Sequence, residues 1–306
     1  MRETILLRAI ALLKERGFSV ESFALSNACF DLVAKRPGIT LVVKAFNNID
    51  AMREEHALEL RKIAGLFNAT VLVVGEKSKA FLLQKGVLYE RYGITALSLS
   101  SFRDLLDEKF PSVKYFKGKS IVELDAKRLR ERRKELGLTL QGLARKIDST
   151  VESVHRYEKG ATASLNAAEK LEDALAASLV KRINLFEENQ GEKESKKNLF
   201  EDSFEDKALG KVHDLGVKVA VFKHSPFRAY AQPEASLFIE KAVSKDIGRK
   251  AEGLVKTRKA FEGTPLIISR ELRFTHVSDV PVVAEEELDS LSKFKDLMKL
   301  IRERES

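Results

Sequence analysis

The chain has one cysteine, Cys29, no tryptophan and five histidines among its 306 residues. A single thiol excludes an intrachain disulfide and a zinc site built from clustered cysteines. Cys29 reads as a small buried hydrophobe. His56, His155, His213, His224 and His276 stand at no metal-ligand spacing with acids or cysteine, so no metal and no cofactor is expected. No apolar run approaches the roughly 20 residues of a membrane helix. The first residues lack a signal-type apolar core, so a cytoplasmic protein with no membrane partner is expected. A Gly-x-x-x-x-Gly-Lys phosphate loop is missing, and no Ser-His-Asp set can be assembled.

Hydrophobic residues make up 44% and charged residues 33% of the chain, with a net charge of +8. This is a globular composition, long enough for two or three domains. The basic balance mildly favours an anionic partner. Charge placement is more pointed. Between Lys114 and Lys134, nine basic residues (Lys114, Lys117, Lys119, Lys127, Arg128, Arg130, Arg132, Arg133 and Lys134) face only Glu123, Asp125 and Glu131.

That run leads into the most informative window, Leu129 to Gly160. Leu129 and Leu136 predict an apolar stripe on a helix whose other face carries Arg132 and Arg133. Gly137 can end the helix in a left-handed conformation. Thr139 is a good N-cap for a second helix with Leu143, Ala144 and Ile147 inward. Asp148-Ser149-Thr150 predicts a turn, with Thr150 capping a third helix. On that helix Val154 and Tyr157 face the core, and Glu152, Ser153, His155, Arg156 and Lys159 face out. Gly160 stops it, and a fourth helix over about 164–175 covers the core.

The window resembles the helix-turn-helix of Cro and the lambdoid phage repressors. The matching residues are Arg133, Gly137-Leu138-Thr139, Leu143-Ala144, Ile147, Val154, Glu158 and Gly160. Leu140 departs from the family's usual Gln, and Ser149 from its usual small apolar residue. The first departure weakens phosphate contact, and the second loosens the turn. Gly142 within a short helix costs about 1 kcal/mol relative to Ala. The resemblance implies double-stranded DNA as partner, with the third helix in the major groove. The expected interface, over about 140–159, is Thr139, Gln141, Thr150, Val151, Glu152, Ser153, His155, Arg156 and Lys159.

The flanking segments both read as α/β, and they read alike. Over 1–110 the pattern predicts a helix at 5–16, strands at 30–35 and 40–45, a helix at 51–66 and a strand at 70–74. A hairpin follows, with 80–83 and 87–90 flanking Gly86, then a strand at 94–97 and a helix from Ser101. Over 203–306 it predicts a helix at 204–215, strands at 217–221, 227–232 and 236–241, a helix at 246–261, strands at 266–268 and 280–283, and a helix from Glu285. Phe30–Ala45 overlays Phe227–Ala242 without a gap, and Phe67-Asn68-Ala69-Thr70 matches Phe261-Glu262-Gly263-Thr264. A duplication is expected, with the DNA-binding module at 121–186 inserted between the copies. The polar run 187–198 is the second linker.

Helix, three strands, helix, strand is the core order of restriction-endonuclease-like and Holliday-junction-resolvase-like domains. That resemblance implies an Asp on the second strand and Glu-x-Lys on the third, holding Mg²⁺ and a water. Asp31 and Lys44 fit, but Val42 stands where the Glu belongs. In the second copy Arg228 and Ile239 replace the acids, and Lys241 alone remains. The first copy is therefore expected to be inactive, with no catalytic residue.

Taken whole, the chain resembles a family of archaeal helix-turn-helix transcriptional regulators. The expectation is a central lambda-repressor-like all-α domain between two α/β domains serving dimerisation or sensing. A homodimer is expected, with the C-terminal helix (Leu291, Phe294, Leu297, Met298, Ile301) contributing. Two alternatives stay open. One is a structure-specific nuclease recruiting Glu3 beside Asp31. The other is a coactivator or adaptor touching the basal transcription machinery.

Overall fold

A computed structural model describes residues 2–23, 28–187, 199–232, 236–271 and 273–305. Of the expected linker, 188–198 lie outside the described residues. In chain order the N-terminal segment carries α1 (Arg2–Glu15), β1 (Ser19–Ser22), β2 (Leu32–Arg36), β3 (Ile39–Asn48), α2 (Glu54–Phe67), β4 (Thr70–Lys77), β5 (Val87–Arg91), β6 (Ile94–Ser98) and α3 (Leu99–Leu106). The centre carries β7 (Val113–Phe116), β8 (Lys119–Val122), α4 (Ala126–Glu135), α5 (Leu140–Lys146), α6 (Val151–Tyr157), β9 (Ala163–Ser164) and α7 (Leu165–Leu175). The C-terminal segment carries α8 (Lys207–Asp214), β10 (Lys218–Val221), β11 (Ala229–Gln232), β12 (Leu237–Ala242), α9 (Ile247–Phe261), β13 (Thr264–Ser269), β14 (His276–Val277), β15 (Val280–Ala284), α10 (Glu285–Leu288) and α11 (Phe294–Glu303).

Packing divides the chain into two compact units. The first is Met1–Ile5, Phe46–Ala51 and Val73–Glu188. In it β6, β5, β7, β8 and β9 follow one another in a sheet. Two features differ from the sequence expectation. β5 pairs with β6 around Tyr92-Gly93 rather than with 80–83 around Gly86. Both turn residues have positive φ, 51° and 77°, as a two-residue hairpin of matching twist needs. The basic run also holds an unexpected hairpin, β7–β8, turning at Lys117 (φ 48°) and Gly118 (φ 82°). β7 pairs in parallel with β5 and β8 pairs with β9, so the helical module stands on the end of the same sheet.

The second unit is Leu6–Ala45, Met52–Leu72 and Asn189–Ser306. It contains the antiparallel meander β1-β2-β3 and a six-stranded sheet in the order β10-β11-β12-β13-β15-β14. β10-β11-β12 form the second meander, and β12, β13 and β15 are parallel. β13 and β15 are near-continuous runs of apolar residues, as strands covered on both faces must be. The face of α11 that the sequence offers to a dimer is spent within the unit. Phe294, Leu297 and Ile301 are buried with Leu237, Ile239 and Leu266, and Leu291 and Met298 pack on the same cluster.

The N- and C-terminal segments meet inside this unit around matched aromatics. Phe67 and Phe261, equivalent at the ends of α2 and α9, touch each other with ring centroids 4.3 Å apart. Phe30 meets Phe261 edge-on at 6.1 Å and 87°, and its counterpart Phe227 meets Phe67 at 6.5 Å and 82°. An equivalent residue touching its own counterpart, flanked by reciprocal contacts, is the signature of two-fold pairing. Here it joins two stretches of one chain.

Candidate nucleic-acid interface and the nuclease-like core

Four helices with side-chain N-caps, α4 to α7, build the central module. Thr139 Oγ1 accepts from Gly142 N at 2.9 Å and Thr150 Oγ1 accepts from Ser153 N at 3.1 Å, so each cap satisfies an otherwise orphaned donor. Gly137 takes φ 65° after α4, and Asp148 takes φ 52° in the turn between α5 and α6. Leu129, Leu143, Ala144, Ile147 and Val154 share one core with Leu171 and Leu175 of α7, and Tyr157 packs at its edge. Each fully buried aliphatic side chain there contributes about 1.5–3 kcal/mol. Leu136 stays 44% exposed, outside the expected stripe, because it caps α4 rather than continuing it.

The structure places the expected interface residues on α5, α6 and their N-caps, with Lys159 in the turn just past the C-cap of α6. Thr139, Gln141, Thr150, Val151, Glu152, His155, Arg156 and Lys159 are exposed. Ser153 is half-buried, its hydroxyl 2.9 Å from that of Thr150. The basic run is less uniform than its sequence. Arg133 is buried, its guanidinium bonded to both Glu158 oxygens at 2.5 and 3.1 Å and to Leu138 O at 2.7 Å. It ties α4 to the end of α6 and leaves the charged face. Arg132 binds Leu175 O and Glu135, and Lys114 pairs with Glu123. Lys117, Lys119, Lys127, Arg128, Arg130 and Lys134 remain exposed. Leu140, at the family's usual Gln, packs against the core and offers no polar group.

In the first α/β copy, Asp31 and Lys44 form a buried ion pair. Lys44 Nζ donates to Asp31 Oδ1 at 3.0 Å and to Ala28 O at 2.6 Å, and Ala45 N donates to Asp31 Oδ2 at 2.8 Å. Asp31, just before β2, is 0% exposed, and Val42, on β3 opposite Val33, is buried as well. The Mg²⁺ that such a fold implies needs two free carboxylates. Both Asp31 oxygens already accept bonds, and Val42 has none to give, so these residues do not fit the ion.

The C-terminal segment differs from the gapless overlay in register. Asp31 N donates to Val43 O, whereas Arg228 N donates to Ile239 O. Leu32 pairs with Val43, and Ala229 with Ile239. The second hairpin is thus one residue shorter. Phe238, not Ile239, takes the place of Val42, and Glu240, not Lys241, takes that of Lys44. The Asp31–Lys44 pair is answered by Arg228 and Glu240 with the signs exchanged. Burial pushes the Glu240 carboxyl up, against the pull of Lys250, 3.1 Å away, and of Arg228. Lys241 turns elsewhere, to Asp206 and Glu285 at 2.9 Å each.

A PD-(D/E)XK superfamily domain model matches residues 2–111, and a helix-turn-helix model matches 129–181. The fold is accordingly mixed α/β and restriction-endonuclease-like at the N-terminus, with helix-turn-helix helices at the centre. A protein of Methanocaldococcus jannaschii named "Putative HTH-type transcriptional regulatory protein" is 32% identical, covering 99% of this chain and 97% of its own length. Similarly named proteins of Pyrococcus furiosus (31%, 95% of each chain) and Archaeoglobus fulgidus (28%, 96% of each) match end to end. The chain belongs to this family of archaeal HTH-type regulatory proteins. No solved structure matches it.

One cluster in this family member has no sequence signal. Glu59 of α2 is buried and accepts from the backbone of Lys223 and His224 and from Ser225 Oγ (3.2 Å), clamping the segment before β11. This brings His224 to His56, with ring centroids 4.7 Å apart, and to Glu55, 3.8 Å away. Burial, then the neighbouring His224, hold the His56 imidazole below its usual range. Cys29 is buried as expected, 3.6 Å from Ser225 Oγ, and burial pushes its thiol up to about 12. Among the described residues no helix is long and apolar enough to cross a membrane.

Proposed function

We propose that this protein binds specific sequences in double-stranded DNA through its helix-turn-helix and thereby regulates transcription, as the names of its relatives suggest for them. One observation carries the reading: two Thr-capped helices, α5 and α6, joined by a left-handed turn, with a polar and basic outer face. Val151, Glu152, Ser153 and His155 on the first turns of α6 reach base edges. Glu152 accepts from a cytosine amino group, and Val151 packs on a thymine methyl. Arg156, Lys159 and the exposed cations of α4 and the β7–β8 turn hold phosphates, with Thr139, Gln141 and Thr150 beside them.

Each chain has one recognition helix, which reads only a few base pairs. A second chain on a two-fold operator supplies the rest, so the working form is a cytoplasmic homodimer. The functional parts are an α/β domain at 1–110, the DNA-binding domain at 121–186 and a duplicate α/β domain at 203–306. We infer no nuclease activity, because Asp31 is committed to Lys44 and Ala45, Val42 is aliphatic, and the second copy has Arg228 and Phe238 at these places.

Duplex affinity measured by fluorescence anisotropy at two salt concentrations tests the first reading. Arg156→Ala with Lys159→Ala weakens all duplexes and lowers the salt slope by about 2. Absence of duplex affinity at low salt removes DNA and leaves contact with the basal machinery. Cleavage of linear, supercoiled or junction DNA with Mg²⁺ or Mn²⁺, abolished by Asp31→Asn, overturns the second reading.

A further inference from the structure

Glu55 and His56 open α2, and His224 lies in the segment that leads to β11. One ligand atom of each lies within 4.8 Å of the other two, and no other such three-residue group occurs among the described residues. We propose that these three side chains form a binding site for a borderline transition-metal dication of the Zn²⁺ class.

The donor set argues for this class. Two imidazole nitrogens and one carboxylate suit Zn²⁺, whereas Mg²⁺ and Ca²⁺ take oxygen ligands. Tetrahedral bonds of 2.0–2.2 Å place ligand atoms about 3.3–3.5 Å apart. The Glu55–His224 separation of 3.8 Å is already near that value. Glu55 is exposed and both imidazoles are partly so, which leaves the Glu55 side chain room to rotate toward them.

The support around the ligands is built. Glu59 lies one turn along α2 and takes the backbone N–H of His224 at 2.9 and 3.0 Å, fixing where that imidazole starts. Glu59 thus holds the backbone that carries one ligand rather than its ring nitrogen. Three protein ligands leave a fourth position for water or an external group. The ion would also fasten α2 to the segment before β11, within the unit where the two α/β copies pair.

The full-length protein, stripped with chelator, is titrated with Zn²⁺ by calorimetry and with Co²⁺ by visible absorption. One ion per chain and a tetrahedral Co²⁺ spectrum are expected. His56→Ala and His224→Ala each weaken binding at least about tenfold, Glu55→Gln weakens it less, and His276→Ala leaves it unchanged. Glu55 is exposed, so its variant folds even where a histidine variant does not. Imidazole NMR of the wild type gives an independent readout, in which Zn²⁺ moves the His56 and His224 resonances and not those of the other three histidines. No saturable Zn²⁺ binding, affinity unchanged in the His56→Ala/His224→Ala double variant, or shifts confined to His155, His213 and His276 would each overturn the proposal.

Discussion

The two α/β segments share a three-stranded antiparallel meander and carry opposite charges at its centre. Asp31 and Lys44 stand in the first copy where Arg228 and Glu240 stand in the second. A catalytic pair of carboxylates has a fixed sign, whereas a structural ion pair works in either polarity. The exchange therefore suits a fold that now uses these positions for cohesion. The pairs also differ in their second partners. Asp31 and Lys44 are both buried and turn to backbone groups, Ala45 N and Ala28 O, whereas Glu240 has Lys250 as a second cation and Arg228 reaches Phe222 O.

The largest effect expected probes the shared framework. Phe30 and Phe227 are both fully buried and make reciprocal contacts. Phe30→Ala and Phe227→Ala should each cost about 3–5 kcal/mol in denaturant unfolding, and by similar amounts. A cost confined to one of them would break the two-fold equivalence.

Next in size is the inverted pair. Asp31→Ala strands a buried ammonium and should cost about 3–5 kcal/mol. Arg228→Ala leaves Glu240 with Lys250 and should cost about 1 kcal/mol. Equal losses would mean that the two pairs do the same structural work. A smaller, chemical contrast is that the N-terminal segment alone carries a thiol. Cys29, with its thiol pushed up to about 12, should resist a thiol reagent at pH 8 in the native protein and react on unfolding.

The smallest effect is a pH dependence at one carboxylate of the C-terminal segment. Its partner Arg304 holds the Glu287 carboxyl below the usual range. A depressed carboxylate gives stability that is present above its unfolded value, about 4.3, and lost as pH falls through the folded value. The melting temperature should therefore drop less between pH 5 and pH 3 in Glu287→Gln than in the wild type.

Where the determinants are local, the sequence was enough. Thr139, Gly137 and Thr150 act within four residues of where they stand, and Leu143, Ala144, Ile147 and Val154 repeat at helical spacing. The β7–β8 hairpin was hidden because Lys114, Lys117 and Lys119 interrupt the apolar alternation of Val113, Tyr115 and Ile121. The third-strand register depended on a loop length that an ungapped overlay cannot sense. Arg133 looked like a surface cation because its partner Glu158 lies two helices away. His56 and His224 share nothing in sequence; Glu59 brings them together through backbone N–H groups, which have no residue identity to read.

Cys29 and Ser225 touch although 196 residues separate them. At roughly 5–20 residues per second, the ribosome takes on the order of 10–40 s to make the second after the first. The central helices, with their short-range contacts, can close during that wait. The first α/β segment cannot, and Phe67 has no counterpart to meet until the last third of the chain emerges. A stalled or truncated nascent chain would thus present a finished DNA-binding module joined to an unpaired sheet and an open aromatic face, a form prone to capture by a neighbouring copy.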